Sequence, residues 1–539
     1  MTNAIIECAP NNYKIPSCEE LRGRILLDEL QVIRRHVMAV KRSWVTTGCS
    51  VLLDGWTDGN GRTLINFLVD SPGGPIFLRS ADVSGFHKDV NAMSSLLDGV
   101  IEEVGIENVV QVVAYSPSAC MDALGKRLTQ KHRSMFWTVC ASHCIGLMLE
   151  KIEALALTKK ILDKAKIITR FIYSHAMVLR LMRMHCGVRD MVRPSKIKSA
   201  ASFLTLANIV SESKNLKSMF NSFAWNTSTW ASTSAGKMVA DLVGESSSFW
   251  GEAGMVLKAT IPLVRVVQLL NGEDGKHQVG YIYETMDQAK EAIKMEFGNK
   301  KAKYLPLWKI IDEIWDNHLH SPIHSAGYYF NPSFFYSSHF FSDAEVASGL
   351  LCCIVRMVED PNTQDLISLQ MDEYRMAKGG FGEQNAVEQR RQISPAEWWS
   401  RYGGKCPELQ RFAIRILSQT CSGGLRYQLR RSLSEQMHTH GRNNVEQQRL
   451  TDLTFVHHNL QLQQQQHSSI IDRYNMDIIV KDMDAMKDWV VAPDHQTCPN
   501  SSDSDWVFSD CNGVDTASGN LGGVVPPGFS LKQEAFGDI

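Results

Sequence analysis

Cys49-Ser50-Val51-Leu52-Leu53-Asp54-Gly55-Trp56-Thr57-Asp58 is the stretch on which the fold turns. Cys49 to Leu53 reads as a short buried strand ending at Asp54. The turn formers Asp58-Gly59-Asn60-Gly61 follow, and Thr63 to Val69 reads as a second strand. A third strand begins at Pro75 to Leu78, after Pro72-Gly73-Gly74. Val90, Met93, Leu96, Leu97, Val100, Ile101 and Val104 then share one face of a predicted helix. Val109 to Val113 is β-branched and reads as a buried strand. A helix from about Pro117 to Gln130, a short strand at Phe136 to Val139 and a helix from Ala141 to Leu157 complete the pattern.

Short links between the first strands predict an antiparallel meander, and helical crossovers predict parallel pairing for the later ones. The fold class is therefore α/β, in an order that matches an RNase H-like mixed sheet. Residues 1–45 read as a helical lead-in, with Leu26, Leu27, Leu30, Ile33 and Val37 at helical spacing. Residues 46–157 are the first part of the core, and 158–385 read as a large helical, partly basic insertion. Residues 386–460 form a further unit that completes the core. It opens on Ser394-Pro395-Ala396-Glu397, a capped helix start. Residues 461–539 read as a Gln-rich, then acidic, disordered tail, with the run Gln463 to Gln466 followed by many aspartates.

The whole chain of 539 residues is close to neutral, with 56 Lys and Arg against 58 Asp and Glu. A globally basic nucleic-acid coat is excluded, and only a local basic face remains open. The 13 cysteines are scattered without a C-x-x-C pair, which favours a reducing compartment over a disulfide framework. No apolar run approaches the about 20 residues that span a bilayer, so no membrane partner is expected. The N-terminus does not read as a signal peptide.

Several motifs, in order, resemble the hAT transposase superfamily and its plant branch. They are Leu53-Asp54-Gly55-Trp56-Thr57-Asp58, Val109 to Val113, Trp137-Thr138-Val139-Cys140-Ala141-Ser142-His143-Cys144, and His324-Ser325-Ala326-Gly327-Tyr328-Tyr329-Phe330-Asn331-Pro332. Leu417-Ser418-Gln419-Thr420-Cys421 and Gln448 to Leu460 are similar to that family's C-terminal dimerisation region. The resemblance covers roughly residues 10 to 460. It implies an RNase H-like core interrupted by a helical insertion, a nuclear location and pairing of two chains. The family also carries an N-terminal BED zinc finger, and no paired Cys and His set precedes residue 45 here.

Family chemistry is two-metal DNA cleavage, in which about three carboxylates converge on a pair of divalent ions. By the resemblance, Asp54 is the first of these acids; by local sequence alone it reads equally as a turn aspartate. The second acid belongs just after Val113, where the family has Asp-Asn and this chain has Ala114-Tyr115. A phenol with a pKa of ~10 is a poor Mg²⁺ ligand. The third belongs near Tyr427 or Gln428, in a segment that has gained Arg426, Arg430 and Arg431. Two of three carboxylates are replaced, so the expected protein does not cut, is not an enzyme and needs no cofactor. Mg²⁺ enters only under the alternative of an active or partner-dependent transposase.

Cys140 and His143 match the family's C-x-x-H motif. They read as a packed thiol and a core histidine more readily than as half of a zinc site, since no second ligand pair has the right spacing. Lys159, Lys160, Lys164, Lys166 and Arg170 form a basic helical stretch that either contacts DNA phosphates or is a solvated face. Trp398, Trp399, Leu409, Phe412, Ile416, Leu450 and Leu453 are candidates for dimerisation or for intrachain core. The expected protein is a homodimer, or a heterodimer with related hAT proteins, that binds DNA without cutting it. A dimerising interaction scaffold with no DNA role is the reading from a different class.

Overall fold

Alternating β-branched and apolar residues build one five-stranded sheet in a computed structural model. The structure describes residues 16–187, 190–193, 197–244, 247–271, 279–439 and 443–467. Helix α1 (Leu26–Lys41) leads in. Strands β1 (Cys49–Thr57), β2 (Thr63–Asp70) and β3 (Ile76–Asp82) form an antiparallel meander. Helix α2 (Val90–Val104), strand β4 (Val109–Ala114), helix α3 (Ala119–Lys131) and strand β5 (Phe136–Val139) follow. Both late strands run parallel to β1, and the order across the sheet is β3-β2-β1-β4-β5. The meander and the parallel crossovers are those predicted from the linkers. The protein is mixed α/β with an open sheet and a predominance of helix.

Two local readings change. Strand β1 does not stop at Asp54 but continues to Thr57, because it keeps pairing with β2 after its pairing with β4 ends at Leu52 and Val113. Asp54 lies where β1 outruns β4, opposite Asn66 of β2. Helix α3 starts at Ala119, later than the expected Pro117, and Ser118 caps it by accepting the Met121 N–H.

Helix α4 (Ala141–Glu153) and helix α5 (Ala156–Tyr173) open the helical region. Helix α6 (Phe249–Asn271) packs on both and buries Phe249, Ala253, Val256, Leu263, Val264 and Val267. By length and composition α6 is the one described helix apolar enough to cross a membrane. The sequence reading missed it because Glu252, Lys258 and Arg265 interrupt the run. Helix α7 (Pro322–Phe330) is buried along its whole length, and helix α8 (Ala344–Met357) packs on it. The C-terminal unit contributes α9 (Pro395–Tyr402), α10 (Pro407–Leu417), α11 (Arg431–Met437) and α12 (Asn444–His467). Ser394 caps α9 as its sequence predicts, accepting the Glu397 N–H.

The two faces of the sheet have different covers. Val51, Leu53, Ile65, Phe67 and Val112 belong to the large core that includes α1, α2 and α3. Leu52, Leu68, Phe77 and Val113 form a second cluster with Cys140, Leu429 and Leu462. The last two come from the C-terminal unit, so this face of the sheet is covered only when the end of the chain returns to it. Helix α12 also guards the edge strand. Asn459 accepts the Phe77 N–H and donates to the Phe77 carbonyl, each at 3.0 Å, beside the register shift between β2 and β3. The Gln463 to Gln466 run, assigned from sequence to the tail, is the end of this helix. The acidic stretch beyond residue 467 lies outside the described residues.

His324 and His458 are fully buried, and burial, then the imidazoles of His320 and His457 respectively, pushes each pKa down to about 3. Both are neutral in the fold, whereas an unfolded histidine takes up a proton near ~6.5. Below that pH the unfolded state binds more protons, so stability is complete above it and falls as pH drops toward about 3. Urea midpoints are expected to fall steadily from neutral pH into the acid range. His458→Phe, which keeps a ring beside Phe77, should make that fall shallower; an unchanged pH dependence would count against this role.

Candidate functional site

The site begins with strand alternation. Leu53 points into the large core, so Leu52, Asp54 and Trp56 point to the opposite face. Asp54 is only 4% exposed, in the middle of the sheet. Its carboxylate is met by Arg431, at the start of α11, with Nη2 to Oδ1 at 2.8 Å. The guanidinium also lies over the Trp56 ring, 4.9 Å from its centroid. Gly424 makes room for this approach: a Cβ there would stand 2.7 Å from the Asp54 Cβ.

Tyr115 follows β4 directly and lies beside Asp54's neighbour. A Cβ on Gly55 would be 2.5 Å from the Tyr115 ring, so the glycine is required for the ring to lie flat on β1. Burial, then the Cys120 thiol, pushes the Tyr115 phenol above its ordinary range. Gly55 faces the large core as Leu53 does, and Tyr115 packs against that core, so its ring lies on the sheet face opposite the Asp54 carboxylate. Tyr427 is not directed to Asp54 either. Its hydroxyl is directed to Asp70, at the other end of β2, and burial, then that carboxylate, pushes its pKa well up. Gln428 is exposed and adopts a left-handed backbone, φ 47°. The segment from Gly424 to Arg431 therefore brings a cation to Asp54.

The two other acids nearby are committed elsewhere. Asp58 is held in the β1–β2 turn by Arg62 at 2.6 Å and by the Asn60 and Arg62 N–H groups. Glu435 accepts the Trp56 indole N–H at 3.0 Å. Arg62 reaches on to the carbonyls of Glu435 and His438, which fixes the end of α11. Sequence reading did not foresee this brace, because Arg62 and α11 are more than three hundred residues apart.

Cys140 ends β5 and begins α4, fully inside the protein, where its sulfur accepts the Gly423 N–H at 3.1 Å. Burial raises its pKa, against the opposing pull of the Gly423, His143 and Ser142 N–H groups. His143 is half-buried, and burial, then His318, pushes its pKa down. A protonated thiol and a neutral imidazole are here packing groups. Among the described residues no cluster of three or more His, Cys, Asp or Glu side chains is placed to hold a metal ion.

Two family models match the regions that meet at Asp54. One, a domain of unknown function (DUF659), matches residues 16–168, and the other, the hAT family C-terminal dimerisation region, matches residues 380–460. The two matches support a hAT-family transposase-like protein. No curated protein matches it. The first match contains the whole sheet and Asp54, and the second contains Arg431, so the ion pair joins the two matched regions of this hAT-like chain.

The remaining candidates lie away from that junction. Lys159 and Lys160 are exposed on α5, and Lys164 pairs with Glu252 at 3.5 Å. Lys166 and Arg170 are partly covered on the same helix. A shallow groove there is lined by Glu150, Glu153, Lys159, Leu162, Asp163 and Lys166, of both signs. In the hAT-type C-terminal region, Trp398, Trp399, Leu409, Phe412 and Ile416 are buried within the chain itself. The indole N–H groups of Trp398 and Trp399 donate to the carbonyls of Ala386 and Phe330. These five residues are intrachain core. Leu450 is half-buried, and Leu453 is exposed.

Removing one partner of a buried ion pair costs roughly 3–5 kcal/mol, and an Arg431 side chain that is 35% exposed places this case lower, at about 2–3 kcal/mol. Arg431→Met is expected to destabilise the protein by that amount in urea titrations. Adding Asp54→Asn, which removes the stranded charge, should recover at least half of the loss. Equal, additive losses would show that the two groups do not depend on each other.

Proposed function

We propose that this chain is a transposase-derived protein that pairs with a second hAT-type chain and holds DNA in the nucleus without cutting it. The observation that carries the reading is the Arg431 guanidinium on the Asp54 carboxylate. The sheet order and the matched regions support an RNase H-like core. Strand cleavage on such a core needs two divalent ions held by several carboxylates. The side chains present do not fit that pair. Asp54 faces a fixed positive charge at 2.8 Å, the position after β4 is a phenol, and Tyr427 turns to Asp70. A Mg²⁺ ion on Asp54 would meet the guanidinium at contact distance, where like charges repel most strongly. Pairing is supported by the description of the region matched at residues 380–460.

DNA holding rests on the exposed amines of Lys159 and Lys160 and on the descent from a DNA-handling family. One observation favours the scaffold reading instead. Acids accompany the basic helix, with Glu252 on Lys164 and Glu150, Glu153 and Asp163 in the adjoining groove. Salt separates the two, because each phosphate neutralised contributes about 0.9 to the log–log salt slope.

Purified protein is expected to leave supercoiled plasmid intact in Mg²⁺ or Mn²⁺ while retarding duplex DNA at low salt. Lys159→Glu with Lys160→Glu should weaken retardation and lower the salt slope by about 2. Metal-dependent nicking abolished by Asp54→Ala would overturn the non-cutting reading. Absence of retardation at low salt would favour the scaffold.

A further inference from the structure

Two helices of the insertion, Val279–Glu296 and Lys301–Ile314, meet at a turn that gathers lysines. The backbone sets the turn. Gly298 and Asn299 are both left-handed, with φ 60° and 59°, and their N–H groups donate to the Met295 and Lys294 carbonyls. The second helix then starts on Lys300, Lys301 and Lys303, all three exposed. The lysines around them are engaged: Lys290 pairs with Asp312 at 2.7 Å, Lys294 with Glu291 at 2.9 Å and Lys258 with Glu296 at 3.3 Å. Lys290 and Lys294 also lie 4.9 and 5.8 Å from the Trp308 ring centroid. Among the described residues no carboxylate pairs with Lys300, Lys301 or Lys303.

Folding gains nothing from this placement. A helix start carries partial positive charge, so an amine there destabilises where a carboxylate would stabilise. Here the first turn holds no acid, and no side chain caps it. Cations that the fold itself disfavours are explained by an anion from outside it. The turn also borders the basic helix α5. Lys164 of α5 pairs with Glu252 of α6, and Lys258 of α6 pairs with Glu296 at the turn. Residues 252 and 258 lie about 9 Å apart along α6. Met255 between them is exposed, so Lys159 and Lys160 at one end and Lys300, Lys301 and Lys303 at the other border one open edge of that helix.

We propose that Lys300, Lys301 and Lys303 contact the phosphates of duplex DNA laid along this edge, with Lys159 and Lys160 at its other end. The inference rests on the reading that the chain holds DNA, and it gives that reading its principal cations. Beside α5 the charges are of both signs, as Glu150, Glu153 and Asp163 share its groove. At the turn the unanswered charges are of one sign only. Three amines within one helical turn match a ligand whose own charges are closely and regularly spaced, as phosphates are along a duplex. Contacts between amines and phosphates carry no sequence information, so the hold is indifferent to base sequence.

Retardation of duplex DNA by the full chain across a salt series tests this, with Lys301→Glu/Lys303→Glu as the variant. Lys126→Glu/Lys405→Glu, at two exposed lysines elsewhere, is the control of equal net charge. The expected result is binding at least tenfold weaker in the variant, a salt slope lower by about 2, and a control within about twofold of wild type. The variant's melting temperature should stay level or rise, because it places carboxylates at a helix start. Lys301→Gln/Lys303→Gln, which removes the charge without reversing it, should lower the slope equally. A turn variant that binds like wild type overturns this inference and leaves the contact through α5 standing. Equal losses in variant and control show a general effect of net charge and overturn it too. A wild type that retards no DNA at low salt overturns both readings.

Discussion

A carboxylate placed in the middle of a sheet must find a positive partner or lose its charge. In this protein the partner of Asp54 is a guanidinium that arrives 377 residues later in the chain. The rest of the architecture serves that meeting. Strand β1 outruns β4 and so opens a space on one face at Asp54. Gly424 clears the approach to Asp54. Arg62 anchors the far end of α11 through the carbonyls of Glu435 and His438, while Trp56 lies beneath the guanidinium.

The same return of the chain closes the core. Ser418 to Ser422 is buried throughout and threads between the sheet and the helical insertion. Gln419 receives the Ser50 hydroxyl at 2.8 Å and donates to the Thr47 carbonyl. Gln111 bridges Ser50 and the Thr420 carbonyl. The Cys421 carbonyl accepts the Ala141 N–H at the start of α4. Apart from the buried Ser418 hydroxyl, which has no partner among the described residues, these polar side chains satisfy one another, and separating them would leave buried groups unpaired. A segment with the sequence of a short motif thus acts as the joint between the two halves of the fold.

The strands were legible because alternation and turn residues are local signals. Leu53 and Asp54 on opposite faces follow from period two alone, and the antiparallel and parallel pairings follow from linker length. The expectation of replaced acids at Tyr115 and near Tyr427 came only from the family resemblance. The Arg431 contact with Asp54 was not foreseen. Arg426, Arg430 and Arg431 fall in one segment, and that cluster was the available signal; which arginine reaches Asp54 depends on tertiary placement. The same limit applies to Trp398, Trp399 and the Leu409 to Ile416 stripe. An apolar helix face has the same periodicity whether it meets its own chain or another, and the meeting with α7 decides the matter here. The end of α12 was misread because glutamine is polar yet an adequate helix former, so composition pointed to a tail where the helix continues.

The account depends on the guanidinium holding the place that metal ions would need. Its most direct test is a crystal grown or soaked in MnCl₂ and measured for anomalous scattering at the manganese edge. The expected map has no manganese peak bound to Asp54, with Arg431 still within hydrogen-bond distance of the carboxylate. A pair of peaks bridged by Asp54, with Arg431 swung away and Glu435 or Asp58 drawn in, would contradict it.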